Sequence, residues 1–188
     1  MELIASEQNI LLAYRAIKKN KGSKTKGVNS TTIVEMGEKQ PEELVAYVRK
    51  RLQNFHPHAV RRVEIPKPDG RMRPLGIPTM EDRIVQQCIK QVLEPICEAK
   101  FYKHSYGFRP NRSAHHAVAR AMFLVNISKY RYVVDVDIKG FFDNVDHGKL
   151  LKQLWTLGIR DKQLLCVLSK MLKAPIQGEG VPTKGVPQ

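Results

Sequence analysis

Four aspartates, Asp135, Asp137, Asp143 and Asp146, lie close together with Lys139 as the only basic residue among them, in a chain that is otherwise strongly basic. Clustered carboxylates can hold a divalent cation beside a surface that binds a polyanion. The same residues also cap helices and line solvated loops, and spacing alone leaves both readings open. The run 131–138, Arg-Tyr-Val-Val-Asp-Val-Asp-Ile, is rich in β-formers and predicts a strand. On such a strand Asp135 and Asp137 share one face, about 7 Å apart. A buried unpaired charge is costly, so that face is either open to solvent or occupied by something cationic. Gly140 then lets another group approach the backbone, and Phe141-Phe142 follow at once. The two rings suit the floor and wall of a site for a flat nucleotide; the alternative is that one of them belongs to the core. Asp143 and Asp146 read first as helix caps. His115, His116 and His147 have no partner at metal-ligand spacing and read as surface or satisfied histidines.

This cluster sits in a chain of 188 residues with 32 Lys plus Arg against 18 Asp plus Glu, a formal charge of +14. The positive excess falls mainly in residues 1–132, and the remainder is nearly balanced. Such a charge implies a polyanionic partner, nucleic acid first. An apolar content of 42% is enough for a packed core and excludes wholesale disorder. No stretch approaches the roughly 18 apolar residues of a membrane span, so no membrane association is expected. The N-terminal residues lack the basic and apolar regions of a secretory signal. Cys88, Cys97 and Cys166 form neither a disulfide framework nor a zinc spacing. A cytoplasmic location follows as the expectation.

The elements that must position these residues are legible in outline. Ile10, Leu11, Tyr14 and Ile17 recur at helical spacing behind Ser6, a candidate N-cap. A basic, Gly-punctuated loop follows, with Lys19, Lys21, Lys24 and Lys26. Pro41 suits a first helical position, ahead of a stripe of Leu44, Val45, Val48 and Leu52. Residues 60–66, a Lys67-Pro68-Asp69-Gly70 turn and residues 72–77 predict a β-hairpin carrying Arg61, Arg62, Lys67, Arg71 and Arg73. By themselves Lys67 and Arg73 read as a turn and a strand residue, and Arg61 and Arg62 as general phosphate contacts. Thr79 caps a helix that Pro95 should kink or end. Ser113, Asp146 and Asp161 cap three more, the first with a stripe of Ala117, Val118, Ala121 and Leu124. The tail from Lys173 is read as closing no element. Helices and hairpins interleave without a βαβ rhythm, so the fold class is α+β, helices packed on antiparallel strands.

Four motifs, in order, carry a family resemblance: Arg73-Pro74-Leu75-Gly76-Ile77-Pro78-Thr79, Tyr106-Gly107-Phe108-Arg109-Pro110-Asn111-Arg112-Ser113-Ala114, Asp137-Ile138-Lys139-Gly140-Phe141-Phe142-Asp143-Asn144-Val145-Asp146-His147, and the closing Gly185-Val186-Pro187-Gln188. Together they resemble the reverse transcriptases of bacterial group II introns. The resemblance implies the fingers and part of the palm of a right-hand polymerase: residues 1–58 as N-terminal extension and first fingers helices, 59–130 as fingers with the triphosphate-binding hairpin, 131–188 as partial palm. It implies addition of dNTPs to a DNA primer on an RNA template, with two Mg²⁺ ions as cofactor. Asp137 matches the catalytic carboxylate of the first metal motif, and the carbonyl of Ile138 the next ligand. Phe142 matches the ring that rejects a 2′-hydroxyl. Lys67 and Arg73 match the pair that grips the triphosphate, and Gln188 a nucleotide contact. Arg109, Asn111 and Arg112 match a segment against the template, and the loop with Lys19, Lys21, Lys24 and Lys26 matches an extension that holds template RNA.

The chain departs from the family in having no Asp-Asp pair for the second metal motif. The expectation is therefore a fragment that ends before that motif, binds RNA, and has no polymerase activity alone. The second reading is an RNA-binding maturase module that assists intron folding and splicing without polymerisation. A third, a retron-type or diversity-generating relative, is disfavoured by the Phe108–Ser113 run and the N-terminal extension. A palm face with unpaired edges would also offer a second copy a place to pair, which makes a homodimer one expected state.

Overall fold

The computed structural model describes residues 1–188 except 67, 69, 187 and 188. The expected contacts of Lys67 and Gln188 therefore lie outside the described residues. Two compact units share the chain: Met1–Leu93 together with Gly140–Gln188, and Glu94–Lys139.

The first unit begins with α1 (Glu7–Lys19), started where the Ser6 side chain accepts a hydrogen bond from the Asn9 amide. Ile10, Ala13 and Ile17 are its buried face. A short 3₁₀ helix at Lys21–Lys24 and α2 (Ile33–Met36) follow. Next comes α3 (Pro41–Gln53), with proline in its first turn. Its stripe of Leu44, Val45, Val48 and Leu52 is buried as the spacing predicts. The hairpin forms from β1 (Arg61–Pro66) and β2 (Met72–Ile77), antiparallel, with register running from Arg61 opposite Ile77 to Pro66 opposite Met72. It is the one sheet among the described residues.

Helix α4 (Met80–Glu98) continues three residues past Pro95, where an ending or kink is predicted. The boundary between the compact units nevertheless falls beside that proline, between Leu93 and Glu94. At the start of α4 Asp82 is 2% exposed and paired with Arg51, and it accepts the His58 amide at 2.7 Å. That pairing fixes the end of α3 to the beginning of α4.

The chain returns to the first unit through a 3₁₀ turn at Phe142–Asn144, then α6 (His147–Thr156) and α7 (Lys162–Leu172), numbered after α5 (Ala114–Asn126) of the second unit. Asp146 and Asp161 cap them by accepting from Lys149 and Leu164 amides. The tail forms no helix or strand of its own, as expected, but isolated bridges pin it. Ile176 bridges both Val60 and Gly180, and the Val60 amide donates to the Pro175 carbonyl at 2.7 Å. Turn residues spaced along the tail predict a loop; the pairing arises because β1 begins with a free edge beside it.

In the second unit α5 (Ala114–Asn126) starts at Ser113, which accepts from the His116 amide. The predicted stripe is not buried: no residue of α5 is, and Val118 is 58% exposed. The strand expected at 131–138 is also absent. Those residues are exposed, carry no ladder partner and have no regular structure. β-propensity reports fit to a neighbouring strand, and none is present here. Asp135 and Asp137 thus share no sheet face.

Candidate nucleic-acid interface

The basic loop between α1 and α2 is held to the hairpin and to α4. Arg83 donates three hydrogen bonds to main-chain carbonyls: Nε to Pro78 at 3.0 Å, Nη1 to Gly22 at 3.0 Å and Nη2 to Thr25 at 2.9 Å. Burial, and then the neighbouring Arg61, pull the Arg83 pKa below its ordinary value. Arg61 donates through Nε and Nη2 to the Lys26 carbonyl at 3.1 and 2.8 Å. Ser23 is buried inside the loop, and a Cβ at Gly27 would stand 2.7 Å from Thr79 Cα, so only glycine lets the chain pass. The Lys19, Lys21, Lys24 and Lys26 residues are exposed. A loop that composition makes look flexible is a tied platform with its charges outward.

On the hairpin, Arg73 lies in β2 opposite Ile65 and is exposed. Arg62, expected among the phosphate contacts, is engaged with Glu179, Nε to Oε1 at 2.7 Å and Nη2 to Oε2 at 2.9 Å. The pairing raises the Arg62 pKa and lowers that of Glu179.

A second constellation joins Phe142–His147 to the closing segment. The Val186 amide donates to the Phe142 carbonyl at 2.9 Å and the Gly185 amide to Val145 at 2.8 Å. Lys184 Nζ donates to Asn144 Oδ1 at 2.8 Å. His147, read from sequence as surface or satisfied, is 6% exposed and its Nε2 lies 2.6 Å from the Gly185 carbonyl. The bond makes Nε2 the protonated nitrogen, and Nδ1 is buried with no partner. Gly185 has φ of +80°, and a Cβ there would meet the Asp143 carbonyl at 2.8 Å. Phe141 and Phe142 meet edge to face at 5.4 Å and both remain exposed, so neither is core. Asp146 is a cap whose carboxyl is held below its usual range by the Lys149 amide.

In the second unit Arg109 is turned inward. Its Nε and Nη2 reach Glu98 at 2.9 and 2.6 Å, and Nη1 reaches the Tyr102 and Ser105 carbonyls. Arg112 donates to the Lys103 carbonyl at 2.9 Å and lies 5.7 Å from the Tyr106 ring centre. Asn111 is exposed, at φ of +57°. Asp137 and Ile138 are exposed in a segment without regular structure. Among the described residues no group of three or more His, Cys, Asp or Glu is placed to hold a metal ion. The Asp137 carboxylate and Ile138 carbonyl are hard oxygen donors, the type Mg²⁺ takes alongside water and substrate phosphates.

Residues 65–188 match the family described as reverse transcriptase (RNA-dependent DNA polymerase), which spans β2, the Arg109–Arg112 segment, the Phe142 turn and the closing glycine. The chain belongs to the reverse transcriptase family. Among its relatives is Protein YkfC of Escherichia coli, 35% identical over 99% of this chain and 52% of YkfC. Group II intron-encoded protein LtrA of Lactococcus lactis is 37% identical over 87% of this chain and 26% of LtrA. Nuclear intron maturase 2 of Arabidopsis thaliana is 33% identical over 51% of this chain and 13% of that protein. The chain thus spans about half the length of YkfC and about a quarter of LtrA. No helix among its described residues is long and apolar enough to cross a membrane.

Arg83 and Glu179 are the residues that sequence spacing missed. Each acts on a partner far along the chain, and no local pattern marks such a pairing.

Proposed function

We propose that the chain is the RNA-gripping front of an RNA-directed DNA polymerase of the group II intron type. Its three parts would be an N-terminal extension over 1–58, fingers over 59–130 and the first palm segment over 131–188. The family match across 65–188 carries this reading. In the first unit Lys19, Lys21, Lys24 and Lys26 would meet RNA, with Arg61 and Arg62 supporting them; in the second, Asn111 and Arg112 would do so, with Arg109 supporting their turn. Lys67 and Arg73 would hold the triphosphate, whose developing charge their cations offset. Phe142 would stand under the sugar, and Gln188 would touch the nucleotide. Asp137 and the Ile138 carbonyl would hold Mg²⁺, which supplies charge neutralisation on the transferring phosphoryl group. A cytoplasmic setting suits three free cysteines. The outward lysine platform also suits the maturase reading, and two relatives are named as nuclear intron maturases. A homodimer through unpaired edges completes the set of proposed partners.

RNA affinity measured across a salt series tests the proposal. Lys→Gln at positions 19, 21, 24 and 26 together should weaken binding and flatten the log K against log salt slope by about 3 units, from about 0.7 per phosphate contact. Asp137→Ala should leave affinity unchanged or slightly higher. Unaltered affinity in the lysine variant would remove the template-grip reading. Primer extension by residues 1–188 alone should give no product, because the sequence lacks an Asp-Asp pair. In a longer polymerase carrying this chain, Asp137→Ala should abolish synthesis.

A further inference from the structure

We infer that Arg83 is a positioning residue for RNA binding: it fixes the 21–26 loop in the shape that presents its lysines to successive phosphates of one RNA strand, without touching RNA itself. The inference rests on the RNA-binding reading above and adds to it the residue on which that reading depends.

The geometry points this way at three levels. First, all three Arg83 contacts go to backbone carbonyls, and they tie Gly22 and Thr25 of the loop to Pro78 at the entry to α4. The contacts run to residues 61 and 58 positions earlier, so the loop is anchored from outside itself. A planar fork matches several carbonyls at once, which an ammonium cannot do. Second, the loop is closed at its far end by Arg61 on the Lys26 carbonyl and by the tight passage of Gly27 over Thr79. Third, Lys21 and Lys24 begin and end a 3₁₀ turn. In that helix, side chains three apart eclipse, with about 2.0 Å of rise per residue. Both side chains therefore leave the backbone on one face, about 6 Å apart along the axis. That is the order of the separation of successive phosphates on one strand. Lysines on a loose loop would have to be ordered on binding, at a cost in affinity; a tied loop avoids it.

Arg83→Lys separates the positioning role from charge. It keeps the cation but breaks the fork. Binding to a single-stranded oligoribonucleotide should fall about tenfold, with the salt slope unchanged because no phosphate contact is lost. Lys21→Gln should instead lower affinity and flatten the slope together. Gly27→Ala displaces the loop without altering any charge, and should reproduce the Arg83→Lys signature. Circular dichroism and thermal unfolding check that each variant is folded; if Arg83→Lys is not, Gly27→Ala carries the test. Wild-type affinity in both Arg83→Lys and Gly27→Ala, while Lys21→Gln weakens binding, overturns the positioning role. A flatter slope in Arg83→Lys overturns it too, by making Arg83 a phosphate contact. Wild-type affinity in Lys21→Gln and the four-lysine variant alike removes the RNA-binding reading beneath it.

Discussion

Arg109 directs its donors at Glu98 and at the Tyr102 and Ser105 carbonyls, and this ties the turn after α4 to the helix end. The hydrogen bonds from Arg109 hold the Glu98 carboxyl below its ordinary pKa. A carboxylate lowered in this way adds stability above its unfolded value, near 4.3, and loses it as pH falls through the lower folded value. Glu98→Gln removes that titration. The acid limb of thermal midpoint against pH should be shallower in Glu98→Gln than in wild type; superimposable limbs would show that the pair does not couple to folding. The aspartates at 146 and 161 and the serines at 6 and 113 are caps that spacing identifies, because a cap and its amide are three residues apart. Arg61, Arg62 and His147 are different. Their partners lie 35, 117 and 38 residues away, so spacing could show only that a cation or an imidazole was present. Composition aimed those arginines at phosphate; the fold gives them carbonyls and a carboxylate.

Helices α3 and α5 have the same length and similar amphipathic patterns, yet they stand on different supports. α3 buries Leu44, Val45, Val48 and Leu52, whereas α5 buries nothing and begins from the Ser113 cap. Leu52→Ala should therefore cost about 2–5 kcal/mol, since it empties a packed site. Val118→Ala should change stability by less than about 0.5 kcal/mol, as for other exposed positions. Urea unfolding of the two variants makes the comparison, and an equal loss in both would mean that α5 is packed in solution. The same distinction explains which elements were legible. Helix starts, the proline of α3 and the hairpin turn are local signals, and each element formed where they stood. The run 131–138 had local β-propensity only, and a ladder is a property of two strands. Tyr132, Val133, Val134 and Val136 are each at least 81% exposed, and a strand with no neighbour cannot bury them.

Across the whole chain, both ends build one unit and the middle builds the other. Every buried apolar side chain among the described residues lies in Met1–Leu93 or Gly140–Gln188. The ends are joined by the Val60–Ile176 bridge, by Arg62 on Glu179, and by the N-terminal ammonium on Asp161. Residues 94–139 contribute no buried apolar side chain, so their opening free energy belongs at the low end of the range within a protein. Lysine and arginine are frequent in both the middle segment and the 19–26 loop, but the loop is tied by Arg83 and Arg61. Brief trypsin treatment should therefore cut first at Lys100, Lys103, Arg120, Lys129 or Arg131, and later at Lys21 or Lys24. After that first cut the two pieces should co-elute on native size exclusion, because they share the core, and separate in urea. Native separation of the pieces would mean that the paired ends do not hold each other. A first cut at Lys21 or Lys24 would mean that the lysine platform is loose, and the RNA grip would then have to be ordered by RNA itself.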